Sequence, residues 1–199
     1  MPDVKSMARH QWIGLIFFLA ALQFTLFLMI AETQYPGYNA GANVISDLGV
    51  WGHASAIIFN SSIILFGALI LAGTWLMHRE WGLRLITLLF ILAGIGAMGV
   101  GIFNEGIVPF HAIFALTAFL FGNLAVVVVG RNLRAPISYL SFTLGGIGLL
   151  CLVLGIGFRI DLGLGMGGME RMLVYPILLW MLGFGGALMA ARDVIVTRR

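Results

Sequence analysis

Residues 12–31 read WIGLIFFLAALQFTLFLMIA, an unbroken apolar run with Gln23 and Thr25 as its polar interruptions and no charge. At 1.5 Å per residue, a helix of this length reaches about 30 Å, the thickness of a bilayer's hydrocarbon core. A secretory signal core is shorter, about 7–15 residues, and ends in an A-x-A-like site. No such site follows Ala31, so the run is read as a retained span. A strand reading fails, because lipid-facing backbone must satisfy its own hydrogen bonds and barrel strands are far shorter.

Five further runs of the same kind follow. The spans are expected at roughly 12–31, 54–77, 83–104, 110–130, 137–158 and 171–191, in a single transmembrane domain covering residues 1–199. The composition agrees: 61% hydrophobic and 10% charged residues, with a mean hydropathy of +1.06, whereas soluble domains carry about 25% charged residues. The expected fold is an all-α integral membrane protein, a six-helix bundle with no room for a soluble domain. Cys151 is the sole cysteine, which excludes an internal disulfide and a cysteine-based metal site.

The charges sort to alternate connections. Lys5, Arg9, Arg79, Arg84, Arg131, Arg134, Arg192, Arg198 and Arg199 fall on one set, and Glu32, Asp47, Glu105, Asp161 and Glu170 on the other, with Arg159 and Arg171. Short loops rich in Lys and Arg stay in the cytoplasm, so both termini are expected there and the acidic loops outside. The basic pI of about 9.5 therefore reports topology in a cell membrane, and nucleic-acid binding is not expected.

Short inner connections, His78 to Gly82 and Arg131 to Pro136, call for antiparallel neighbours. The longest outer connection, Glu32 to His53, carries the turn signal Tyr35-Pro36-Gly37-Tyr38, and Ser46 or Asp47 suits the start of a short helix. Glycines crowd the third, fifth and sixth spans, where small residues let helices approach. Gly183-x-x-x-Ala187 has that spacing, for packing within the bundle or for a homo-oligomer.

Chemically capable residues gather at the outer ends. Asn60 lies roughly 9 Å below the start of the second span, a depth at which a buried amide needs partners. Pro109 suits the first turn of the fourth span, which places His111 in that turn, near Glu105 or Asp47. Arg171 and Tyr175 are four apart and share a face of the sixth helix, while Glu170 points about 100° away from Arg171. Gln23 is expected to face the bundle. His10 and His78 read as ordinary interface residues.

Together, Tyr35-Pro36-Gly37-Tyr38, Ile45-Ser46-Asp47-Leu48-Gly49, Ile58-Phe59-Asn60-Ser61, Gly101-Ile102-Phe103-Asn104-Glu105 with His111, and Gly168-Met169-Glu170-Arg171 with Tyr175-Pro176 resemble archaeal members of the domain-of-unknown-function 998 family. The resemblance covers nearly the whole chain. It implies a six-span membrane protein with its shared polar motifs on one side, and it implies no activity. Members of this kind often have Pro where Asn104 stands, and the resemblance gives no reason to expect a histidine at His53.

Three functions are compatible with these residues. In the first, an outward-facing pocket binds a lipid or small ligand and supports hydrolase-like chemistry. His111 is then the acid/base, Asp47 or Glu105 orients it or holds a divalent metal, and Asn60, Glu170, Arg171 and Tyr175 bind the ligand, Arg171 taking an anionic headgroup. Catalytic zinc usually wants three protein ligands, often histidines, and only two histidines lie on this side. In the second, His53 and His111 hold a haem b axially for electron transfer. In the third, the polar rim is a non-enzymatic scaffold or sensor whose partners are membrane lipids or another protein. Ion transport is not expected, because the spans lack membrane-centre charges and a pair of broken helices.

Overall fold

A computed structural model describes residues 7–196. Six helices are long and apolar enough to cross a membrane: α1 (Arg9–Thr33), α2 (Ser55–Trp81), α3 (Arg84–Ile102), α4 (Phe110–Gly130), α5 (Ile137–Leu152) and α6 (Gly165–Ala190). The described residues form no β-sheet; the exception to helix and loop is a single antiparallel bridge between Leu133 and Ile195. This is an all-α, multi-pass membrane protein. The fifth apolar run, which reads as one helix over 137–158, divides. Regular α-helix stops at Leu152, and Val153–Gly157 continues as a π-helical turn, closed by the Phe158 amide on the Val153 carbonyl.

Each helix packs against its successor, and α6 returns to α1, so the six close into a ring. The turns that make this possible are short. α2 ends at Gly82, whose left-handed conformation (φ 65°) returns its amide to the His78 carbonyl at 2.9 Å, a glycine stop at a position other residues enter with strain. All the basic connections meet at one end, where Glu80 accepts from both Arg9 and Arg192 and Arg134 pairs with Asp193. Lys5, Arg198 and Arg199 lie outside the described residues.

Lipid tails are as apolar as leucine, so helix association here rests on close packing and polar ties. Ring closure shows this at the α1–α6 seam. A Cβ on Gly185 would stand 2.6 Å from the Gly14 carbonyl oxygen, and one on Gly14 would stand 2.5 Å from that of Gly185. The seam glycine of α6 is therefore Gly185. A Cβ on Gly183 of the small-residue spacing would meet nothing within 4 Å among the described residues. Gly185→Ala is expected to cost about 1–3 kcal/mol by overpacking, and Gly183→Ala to gain up to about 1 kcal/mol of helix propensity. Thermal melts of both in detergent measure the contrast.

Inside the ring, the half nearer the basic end is plugged by aromatics. Trp180 stacks on Phe184 at 4.5 Å and on Phe90 at 6.0 Å, and Phe17 meets Phe90 and Phe184 at 5.5 and 5.7 Å. The buried indole donates to Ser141 Oγ at 2.7 Å, so the polar tip of this plug is satisfied. Asn123 ties three helices above it. Its Nδ2 donates to the Phe119 and Leu173 carbonyls, and Gly148 of α5 leaves it room, since a Cβ there would overlap the amide.

Candidate functional site

Above the aromatic plug the ring is not filled. Small residues lie opposite the phenylalanines: Ala93 and Ala97 on α3, Ala115, Ala118 and Gly122 on α4. They leave a cavity of about 60 Å³, several times the roughly 10–15 Å³ that admits one water on the same measure. Phe24, Phe59 and Phe66 form much of its other wall. Its polar lining is confined to the acidic end and consists of Ser46, His111 and Glu170.

A lid closes that end. The connection between α1 and α2 folds over the bundle through a short 3-10 turn, Ile45–Gly49, which buries Ile45 and Leu48. Three polar ties hold it to the bundle, and a fourth, from Asn43 to Asp47, braces it from within. Glu170 accepts the Ile45 amide, placing a carboxylate at the positive start of the turn. Ser46 Oγ donates to Glu105 at 2.8 Å. Asn43 Nδ2 donates to Asp47 at 2.9 Å. Asn60 Nδ2 donates to the Gly49 carbonyl at 2.9 Å.

Arg171 is the centre of the lid's fourth side. One guanidinium nitrogen donates to the carbonyls of Ala40, Asn43 and Gly167, and the other to Glu32 at 2.6 Å and the Tyr38 hydroxyl at 2.9 Å. The Tyr38 hydroxyl in turn donates to the Val44 carbonyl at 3.1 Å. Burial pushes the Tyr38 phenol up to about 12, against the pull of Arg171, so it stays a neutral link in this chain. Both terminal nitrogens of the guanidinium are thus taken up by the lid and its surroundings, which leaves at most the single Nε–H for a ligand. It is a clamp.

His111 sits at the cavity edge in the first turn of α4, 8% exposed. Its Nδ1–H donates to the Phe103 carbonyl at 2.8 Å. A carbonyl can only accept, so the neutral imidazole carries its proton on Nδ1 and keeps a lone pair on Nε2. Glu105 lies close by. Burial pushes its carboxyl above the ordinary range, the Ser46 hydroxyl pulls it back, and the Asp47 charge adds to the rise. A raised carboxyl favours the protonated fold. Its contribution is complete below the ordinary value of about 4.3 and is lost as pH climbs through the raised one. Stability is therefore expected to fall with rising pH above that value, and Glu105→Gln to flatten the fall; melts across a pH series measure it.

The sequence-derived residues thus divide. His111 and Glu170 line the cavity; Asp47 is part of the lid itself; Asn60, Glu105, Glu170 and Arg171 hold the lid down. Tyr175 is 38% exposed on the outer face of α6 and does not line the cavity. His53 is exposed in the connection leading to α2, with its ring on Tyr35 at 4.5 Å, and it too is absent from the cavity wall. A bis-histidine haem needs both imidazoles on one chamber, and these two do not fit it. Nor do three His, Cys, Asp or Glu side chains gather into a metal-binding group among the described residues. Glu32 and Tyr38, the partners of Arg171, were missed as site residues, as was the row of small residues on α3 and α4.

The family model described as "Protein of unknown function (DUF998)" matches residues 6–187. The chain belongs to the DUF998 family. No curated protein and no solved structure matches it. The motifs on which the resemblance rested come together in this DUF998 chain as the lid and its clamps. Tyr35–Tyr38 and Ile45–Gly49 form the lid; Asn60, Glu105, Glu170 and Arg171 hold it.

Proposed function

We propose that this DUF998 protein binds an amphiphilic lipid-like molecule inside its helical ring, with the hydrocarbon portion in the cavity and a polar group beneath the lid. The observation that carries the reading is the cavity itself. It is apolar along most of its length and polar at one end through Ser46, His111 and Glu170. Ligand sites are built this way, with apolar walls and a few convergent polar groups. His111 accepts a hydrogen bond from the ligand through Nε2, and Ser46 and Glu170 bracket it. On the same reading this end faces the extracytoplasmic side and both termini the cytoplasm, which the charge asymmetry of the connections supports.

Lipid extraction and mass spectrometry of the detergent-purified protein test the proposal. The wild type is expected to carry an amphiphile that Ala97→Phe, which fills the cavity, and His111→Ala both reduce. Equal amounts in wild type and in a folded Ala97→Phe variant overturn it, and Ala118→Leu serves where Ala97→Phe does not fold.

A hydrolytic use of the same site has one specific observation in its favour: the Phe103 bond to Nδ1 leaves the Nε2 lone pair of His111 free at the cavity edge, with Glu105 in the same neighbourhood. That arrangement suits a general base acting on a water without a metal. Hydrolysis of a bound ester that disappears in His111→Ala while binding persists in His111→Gln tests it.

A further inference from the structure

A second cavity, of about 170 Å³, opens beside the first between α4, the π-helical end of α5 and the start of α6. Glu170 and Phe119 line both. Its interior is apolar, with Cys151, Met169 and Leu173 among its walls, and its mouth carries Arg159 and Asp161. Both residues are exposed. Among the described residues Arg159 makes neither an ion pair nor a side-chain hydrogen bond. Asp161 uses one carboxylate oxygen on the Gly163 amide at 3.0 Å, and forms no ion pair. Arg171, the other arginine at this end, has both terminal nitrogens engaged in the lid.

The segment around them alternates. Phe158, Ile160, Leu162 and Leu164 are apolar and 68%, 46%, 58% and 43% exposed, with Arg159, Asp161 and Gly163 between them. Such a strip is stable where hydrocarbon meets headgroups, with the apolar side chains in the one and the charges in the other. A cation and an anion that both leave each other unpaired, at the mouth of one apolar cavity, complement a ligand that brings both charges itself.

We propose that this second cavity is a headgroup site for a zwitterionic phospholipid, with the phosphate on Arg159, the ammonium on Asp161, and a hydrocarbon chain in the cavity. The proposal rests on the reading of the bundle as an amphiphile binder and names the class. Arg holds phosphate through two parallel donors, and a carboxylate with a free oxygen accepts from an ammonium. Glu170 and Phe119 line both cavities, so a chain entering between α5 and α6 runs up to the wall it shares with the first.

Native mass spectrometry of the detergent-solubilised protein tests it with three chain-matched lipids: a phosphatidylethanolamine, a phosphatidylglycerol and a diacylglycerol. Retention is expected in that order, with phosphatidylethanolamine about tenfold above diacylglycerol. A factor of ten corresponds to about 1.4 kcal/mol, within the range of one charge-assisted hydrogen bond. Arg159→Gln should remove the advantage of both phosphate lipids, and Asp161→Asn only the advantage of phosphatidylethanolamine over phosphatidylglycerol. Both residues are exposed, so these variants keep the fold. Equal retention of all three lipids by the wild type overturns the headgroup site and leaves amphiphile binding standing. Retention of none overturns both. Displacement of the lipid by soluble phosphoethanolamine at equal concentration overturns the membrane lipid as the source.

Discussion

Arg171→Met is expected to lower stability by about 3–5 kcal/mol, the usual cost of removing one partner from a buried ion pair. The side chain of Arg171 is 10% exposed and that of Glu32 27%, so water does little to compensate the carboxylate left behind. The substitution also strands the carbonyls of Ala40 and Asn43, which the guanidinium satisfies. Glu32→Gln removes only one of the five bonds and keeps a hydrogen-bond acceptor, so it should cost less. Thermal melts in detergent rank the two. Hydrogen exchange of residues 38–49 tells where the loss falls: protection there should drop first in Arg171→Met, with the α1–α6 seam still protected.

Gly167→Ala is expected to open the same lid without touching a charge. A Cβ at this position would stand 2.0 Å from the Asn43 carbonyl oxygen and 2.4 Å from that of Ala40. Both are backbone atoms, so no side chain can swing aside. Overpacking costs about 1–3 kcal/mol in ordinary cores, and backbone against backbone belongs at the upper end. The Gly167 amide would also lose its bond to the Gly41 carbonyl, 3.0 Å in the native fold. Because Arg171 donates to the two carbonyls that the new methyl displaces, the two substitutions release one element. The double variant should therefore fall short of the sum. A full sum in the melts would show that Gly167 and Arg171 act on separate parts of the fold.

Six helices and their charge asymmetry are legible along the chain because both are local signals, an apolar run and the sign of its flanks. The fifth run shows the limit. Apolar length does not distinguish an α-helix from one that ends in a π-helical turn. The site was partly legible. His111 stood out through Pro109 before it, and Glu170 through its offset from Arg171. His53 looked equivalent to His111 by type and by its place at a span end. Only the path of the connection separates them, since one begins a helix facing the ring and the other lies exposed on a loop. Arg171 stood out as a candidate ligand-binding residue but not as the clamp of the lid, because its carboxylate partner is 139 residues away. The cavity itself had a faint trace in the sequence, small residues at 93 and 97 and at 115, 118 and 122. Their meaning depended on what stood opposite. Against large side chains they would have been ordinary packing positions.

The Gly14–Gly185 seam joins α1 to α6, so one close approach of two glycines completes the ring. Without α6 docked there, α1 through α5 would be an open arc, with Phe17 and Phe24 on an unsealed face and neither Glu170 nor Arg171 in place. The chamber, its lid and the wall between the two cavities all depend on that one docking. Loosening the seam would therefore open the proposed site from the side, without moving the lid.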